Sequence, residues 1–272
     1  MSRLLGIKYD ENNKYHRFAR TALITVISLS FFIILWWAVS VITNNTAIPT
    51  PLETWNALTD LARNGDRMTN ITLGRYVSTS MSTFLKGFLL AFAVAVPVGL
   101  VLGYSKILRD FATPIIEVLR PIAPIAWAPI FMLSLGYSIG PMLVVFIGIF
   151  FPLLTNVIFG VKKIDPSWID AAKTLGASQF QVFYKVMMPS AIPYVMNGIK
   201  VGLGIGWMCI VAAELYASPL GGIGFYLAEQ AGIGYWPGAY AALVIIGVLG
   251  LLTVGVADYF HRLLSKRMGM EV

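Results

Sequence analysis

The sequence has very few of the side chains from which soluble enzymes build their active sites. It contains one cysteine and two histidines, and only 12% of its 272 residues are charged, against about 25% in soluble globular proteins. A lone cysteine excludes a disulfide framework and a cysteine-based metal site. The chain also lacks a Gly-x-x-x-x-Gly-Lys-Ser/Thr loop, so it has no such site for ATP.

Apolar residues instead fill six long runs, and they make up 57% of the chain. The runs are residues 22–42, 84–104, 115–135, 141–160, 192–215 and 238–260. A helix of about 20 residues, rising 1.5 Å per residue, crosses a hydrocarbon core of roughly 30 Å. The sequence therefore predicts an all-α integral membrane protein with six transmembrane helices, the first of which is too long for the core of a signal peptide.

The distribution of positive charge predicts how these helices are oriented. Fourteen cations lie before the first run, between runs two and three, between runs four and five, or after the last run, whereas the alternate loops hold three. Positive charge favours the cytoplasmic side, so we expect both termini inside. The predicted parts are a cytoplasmic segment 1–21, a membrane domain 22–260 with external loops 43–74 and 217–237, and a cytoplasmic tail 261–272. The basic composition then needs no nucleic-acid partner.

The loops contain helix signals of their own. In loop 43–74, Thr50 to Glu53 form a capping box with a proline between them, and Trp55, Leu58 and Ala62 follow at helical spacing. This favours a surface amphipathic helix, although a plain connector with one helical turn is the alternative. Loop 217–237 is rich in glycine and predicts a short hairpin or an interfacial helix.

The predicted cytoplasmic loop, residues 161–190, is more elaborate than a connector needs to be. Ser167 with Asp170, and Ser178 with Gln181, resemble two capping boxes, with Gly176 between them and Pro189 expected to end the second helix. Two short, capped helices would present Ala171, Ala172 and their neighbours to a partner protein.

Two patterns within the spans bear on packing. Small residues recur every fourth position in the second and fifth spans, which favours close helix packing within the chain, with dimerisation as the alternative. The third span contains Pro114, Pro121, Pro124 and Pro129. Because each interior proline removes a helix hydrogen bond, we expect this span to be kinked and to line a cavity or lie within protein.

Two parts of the sequence resemble a known family of transport proteins. Asp-Ala-Ala-Lys-Thr-Leu-Gly at residues 170–176, then nine residues and Val-Met-Met-Pro at 186–189, resemble the Glu-Ala-Ala…Gly…Ile-x-Leu-Pro loop of ABC-importer permeases. Asp170 and Met188 replace the usual glutamate and leucine. Residues 120–129, 202–214 and 222–225 resemble the nitrate, sulfonate, taurine and bicarbonate permeases, with Ala123 and Ala128 as departures.

This resemblance covers about residues 20–265 and implies a type I importer fold in the plasma membrane of a prokaryote. It implies a homodimer of this permease, with two ATP-binding subunits and an external solute-binding protein as partners. The chain itself would bind no cofactor, since ATP and magnesium would be used by the ATPase subunits, and it would not be an enzyme. The ATPase-coupling residues implied are Asp170, Ala171, Ala172, Gly176 and Pro189.

Five further residues are candidates for the translocation pathway or a gate, and each has a structural alternative. Arg120 could attract an anion or pair with Glu117, and Lys200 could guide anions or extend to the membrane interface. Glu214 could form a gate or subunit contact, or be a capped interfacial acid. Trp127 and Trp207 could line the pathway or simply pack.

Other functions remain to be weighed against a small-anion importer. An ion-gradient-driven transporter or channel should show paired ionisable residues at mid-membrane and inverted repeats, and the sequence shows neither. Glu117, Glu214 and Asp258 form no obvious pair, and no histidine lies in a span to serve a protease or a haem. A non-transporting scaffold is a third possibility.

Overall fold

A computed structural model describes residues 14–216 and 221–267, so the ends of the two predicted terminal segments and residues 217–220 of the second external loop lie outside it. All regular structure in the described ranges is helical. The helices are α1 (Lys14–Thr43), α2 (Pro51–Asn64), α3 (Leu73–Tyr104), α4 (Lys106–Leu119), α5 (Ala128–Leu135), α6 (Gly140–Lys162), α7 (Pro166–Thr174), α8 (Gln179–Val182), α9 (Met188–Glu214), α10 (Ile223–Gly232) and α11 (Trp236–Arg267).

The predicted all-helical membrane fold is confirmed. Five helical stretches are long and apolar enough to cross a membrane, and they correspond to the first, second, fourth, fifth and sixth predicted runs. They are Ala19–Thr43, Leu73–Tyr104, Gly140–Lys162, Gln179–Glu214 and Trp236–Leu264.

The third predicted run does not form a straight helix. Lys106–Leu119 and Pro124–Leu135 meet at an angle of 82°, and a 3₁₀ turn (Pro124–Trp127) leads into α5. Pro121 and Pro124 lie at the break, where their missing N–H groups and fixed φ angles interrupt helical hydrogen bonding. The expected kink is present, but helical structure begins at Lys106, nine residues before the predicted run.

Helices α3, α6 and α9 form the centre of the bundle, and glycines allow them to approach closely. A Cβ added at Gly99 of α3 would lie 2.7 Å from the Val157 side chain of α6, and one at Gly202 of α9 would lie 2.9 Å from Ile149. The small residues spaced every fourth position therefore serve contacts within the chain, the favoured alternative.

Helix α2 is present as predicted, and one of its faces packs against the bundle. The Thr50 amide donates to Glu53 Oε2 at 2.7 Å, which completes the capping box, and the helix ends at Gly65. Thr54, Ala57 and Leu61 are buried, whereas Trp55 is 61% exposed. The buried residues have helical spacing and lie one position before Trp55, Leu58 and Ala62, and α2 packs against α11.

The bundle has two different ends, which α3 connects. Near its start, Ser80 contacts Glu214 at the end of α9, and at its other end Tyr104 contacts Gln179 of α8. We call α2, residues 65–72 and α10 the cap, and residues 161–190 the coupling loop.

Candidate functional site

The coupling loop begins with a helix whose cap was predicted wrongly. Asp165, not Ser167, caps α7: its carboxylate accepts the Ser167 N–H at 2.9 Å. That hydrogen bond holds the pKa of Asp165 below its ordinary value. Pro166 occupies the first helical position, so the residue before it is the N-cap. In addition, a capping box has Glu or Gln at its fourth position, whereas this sequence has Asp170.

Gly176 ends α7 in the turn that its spacing predicts. Its φ is +81°. The Gly176 N–H donates to the Lys173 carbonyl at 2.9 Å and the Ala177 N–H to the Ala172 carbonyl at 3.0 Å. These two bonds define a Schellman motif, in which glycine is favoured at the left-handed position.

The second helix of the loop starts as predicted but does not end at Pro189. Ser178 and Gln181 form a reciprocal capping box. From there the helix continues through a wider π turn (Phe183–Met187) into α9, with the Met188 N–H bonded to the Phe183 carbonyl. Because the register is widened just before Pro189, the proline is accommodated within the first turn of α9.

The coupling loop exposes a cluster of large apolar side chains. Trp168, Leu175, Phe180 and Tyr184 are 59–88% exposed, and the Phe180 and Tyr184 rings stack at 6.3 Å. Asp170 and Ala171 are also exposed, whereas Ala172 is half-buried against the core. Buried Val182 and Met187 fix the second helix to the bundle. The loop is thus anchored on one side and presents apolar surface on the other, a combination typical of a docking surface.

Two candidate pathway residues lie at the bend between α4 and α5. Arg120 is exposed at the C-terminal end of α4, and within the described ranges it forms no ion pair with Glu117. Trp127 is half-buried and stacks on Phe131 at 5.7 Å. The ion pair of Arg120 with Glu117, which was the structural alternative for Arg120, is therefore absent from the described residues.

Lys200 has a partner that the sequence analysis missed. Its Nζ lies 2.5 Å from Asp258 Oδ1 of α11. No local spacing in the sequence could show this pair, because its two helices are separated by α10.

Glu214 and Trp207 are both buried in α9. Ser80 donates to the Glu214 carboxylate at 2.8 Å, and the Gly224 N–H donates to Glu214 Oε2 at 2.9 Å. The Ile223 N–H completes the network by donating to Ser80 Oγ at 2.9 Å. Trp207 stacks on Phe84 at 4.8 Å and donates to Thr253, so its contacts are those of a packing residue.

The Glu214 network fastens the cap to the spans. An acid at the start of α10 complements the positive end of the helix dipole, and the same carboxylate joins α3, α9 and α10. Neither proposed role of Glu214 included this arrangement.

A second polar network joins the cap to the start of α3, and nothing in the sequence pointed to it. Asp66 accepts hydrogen bonds from Thr69 at 2.5 Å and from Tyr76 at 3.1 Å. Burial raises the pKa of Asp66, but these bonds and one from the Met68 amide outweigh it, so the pKa lies below its ordinary value. Burial and the adjacent Asp66 raise the pKa of Glu229, whose Oε2 atom is buried with no hydrogen-bond partner.

Several apolar spans, a proline-broken segment between them and an exposed, well-capped loop define a polytopic membrane transport protein. Residues 95–270 match the family model described as the inner membrane component of binding-protein-dependent transport systems. The chain belongs to this family, which contains the permeases of ABC importers. In that family, separate subunits hydrolyse ATP.

Named relatives agree with this assignment. A putative ABC transporter permease of Methanocaldococcus jannaschii is 40% identical over 64% of this chain and 65% of its own length. The taurine transport system permease of Escherichia coli K12 is 29% identical over 90% of each chain. The nitrate import permease of Synechocystis sp. is 32% identical over 66% of each.

The fold is also shared with a solved importer. The inward-facing methionine ABC transporter MetNI matches with a TM-score of 0.61 and 20% identity, over 71% of this chain and 95% of that one. This likeness concerns the fold alone and confirms a type I permease architecture.

Proposed function

We propose that this permease forms the translocation pathway for a small anion of the nitrate, sulfonate or bicarbonate class. Two copies of the chain would work with two ATP-binding subunits, which use ATP and magnesium, and with an external solute-binding protein. Both termini and the coupling loop would face the cytoplasm, and the cap would face outward.

The observation that carries this proposal is the coupling loop. Its short helices are stabilised by their own caps, fixed to the bundle by Val182 and Met187, and expose Trp168, Leu175 and Phe180. Such a surface is stable without a partner but leaves apolar area to be covered by one. The second helix continues directly into α9, so a displacement of the loop would move a central span.

The anion class is supported by the named taurine and nitrate relatives, and by cations on the candidate pathway segments, Arg120 and Lys200. Substrate selection in such a system would rest partly on the solute-binding protein, a separate chain.

Reconstitution tests the proposal directly. The permease, its ATPase subunits and its binding protein are placed in proteoliposomes, and uptake of labelled taurine, nitrate and bicarbonate is measured with and without ATP. We expect ATP-dependent uptake of one of them that persists when ionophores collapse all ion gradients. Uptake that follows an ion gradient and ignores ATP would contradict the proposal.

A further inference from the structure

The ion pair between Lys200 and Asp258 lies within the membrane domain. Lys200 is fourteen residues before Glu214 on α9, which places it about 21 Å along the helix at 1.5 Å per residue. Lys200 also lies eight residues inside the predicted apolar run 192–215, which is about 12 Å from its start at 1.5 Å per residue. Asp258 lies in the candidate span Trp236–Leu264 of α11.

The pair is neither buried in the protein core nor compatible with free contact to lipid. The side chains are 28% and 42% exposed. A charge in the hydrocarbon region costs about 2.5–3.5 kcal/mol on insertion scales, so such residues face a water-filled cavity or another subunit. A partly exposed ion pair in a span is therefore favoured beside a water-filled pathway or a subunit boundary over acyl chains.

The surroundings of the pair carry surplus positive charge. His261 and Arg262, one turn further along α11, both act electrostatically on Asp258 together with Lys200. One carboxylate thus interacts with two permanent cations, Lys200 and Arg262. A lysine ammonium has three N–H donors, and a single carboxylate leaves room for a second oxyanion near them.

We propose that Lys200 is an anion-binding group of the pathway and that Asp258 occupies it when no substrate is present. An incoming anion would replace the Asp258 carboxylate at the Lys200 ammonium, and release of the anion would restore the ion pair. The pair keeps Lys200 neutralised within the membrane between transport events. This inference rests on the proposed anion transport and adds the residue that receives the anion and the residue that competes for it.

The test uses the complete complex in proteoliposomes, with whichever of labelled taurine, nitrate and bicarbonate the wild type takes up as the probe. The informative variant is the exchanged pair, Lys200→Asp with Asp258→Lys, which restores an ion pair but moves the cation to α11. We expect this variant to regain the thermal stability and assembly lost in Lys200→Gln alone, yet not its uptake.

Two further variants measure the competition. Asp258→Asn frees Lys200 and should lower the KM for uptake, whereas Lys200→Gln with Asp258→Asn, which removes both charges, should raise the KM about tenfold, equivalent to 1.4 kcal/mol of binding. Lys106→Gln, which removes an exposed cation at the start of α4, is the matched control and should leave the KM unchanged.

The outcomes separate this inference from the function on which it rests. Uptake at the wild-type level by the exchanged pair would overturn the role of Lys200 but not the proposed function. An unchanged KM in the variant that lacks both charges would do the same. No ATP-dependent uptake of any of the three anions by the wild type would overturn the proposed function, and the anion site with it.

Discussion

The cap and the coupling loop use polar side chains in opposite ways. Where the cap meets the spans, polar groups are buried and bind one another across long sequence separations: Ser80 and Glu214 are 134 residues apart. In the coupling loop, Asp165 and Ser178 cap helices that start within one residue of them, and the large apolar side chains are exposed. The cap is therefore part of the folded core, whereas the loop is a self-contained surface for a partner.

The two ends are nevertheless mechanically connected. α8, the π turn and α9 form one helical stretch, Gln179–Glu214. Its first residues belong to the coupling loop, and its last residue binds the start of α10 through the Gly224 N–H. A force applied to the loop would thus reach the cap through a single helix.

The largest effect on stability is expected for Glu214→Leu. The substitution leaves the Ser80 hydroxyl and the Gly224 N–H buried without an acceptor, at a cost of about 1–3 kcal/mol for each unsatisfied group. Thermal unfolding in detergent should show a clear loss of stability. Asp170→Leu, at an exposed position of the coupling loop, is the matched control and should unfold like the wild type. Equal stability of the two variants would contradict the distinction between the two ends.

A pair of glycine substitutions sharpens the comparison. A Cβ at Gly224 of the cap would lie 2.6 Å from the Val211 carbonyl oxygen, whereas one at Gly176 would meet nothing within 4 Å. Gly224→Ala should cost about 1–3 kcal/mol through overpacking, and Gly176→Ala about 1 kcal/mol through its positive φ.

Thermal unfolding measures the stability of both variants, and co-purification of the ATPase subunits measures whether the coupling loop still binds them. Gly176→Val, which adds a β-branched side chain to the same turn, should still insert in the membrane but lose its ATPase subunits or their response to binding protein. Normal transport by Gly176→Val would contradict the assigned role of the turn.

The sequence predicted the features that depend on near neighbours. Apolar runs located the spans, Thr50 and Ser178 correctly marked helix starts, and Gly176 marked a left-handed turn. It did not predict the ion pair between Lys200 and Asp258. Nor did it predict the hydrogen bond between Gln230 and Asp66, which are 164 residues apart in the sequence. Pro189 was misjudged because a π turn upstream, which no short motif announces, changes the register in which the proline lies.

Glu229 should make the stability of the cap depend on pH. Its raised pKa means that the folded state favours the protonated carboxyl beside Asp66. The contribution of Glu229 to the stability of the cap is therefore present at low pH and is lost as the pH rises through its raised pKa. Asp66, with its lowered pKa, acts in the opposite sense: its contribution is lost as the pH falls below its ordinary range.

Glu229→Gln removes the first effect and supplies an amide that can donate to Asp66. Hydrogen exchange of the α10 amides, followed from acidic to neutral pH, should show protection that falls as the pH rises in the wild type and does not fall in the variant. Glu53→Gln, which retains the capping box of α2, is the control and should behave like the wild type. Parallel pH profiles for Glu229→Gln and the wild type would refute the role of Glu229.

The smallest effect on stability and the largest on assembly are expected for Leu175→Ser with Phe180→Ser. Both side chains are at least 75% exposed, so thermal unfolding should change by no more than about 0.5 kcal/mol per substitution. Met68→Ser, an exposed apolar position of the cap, is the control at the opposite end.

Co-purification of the ATPase subunits with these variants tests the central claim, that the coupling loop binds the ATP-hydrolysing partner. We expect the doubly substituted permease to remain folded but to retain at most about one tenth of the ATPase, as expected for loss of apolar anchor residues at an interface, while Met68→Ser retains all of it. A full complement of ATPase on the doubly substituted permease would contradict the account.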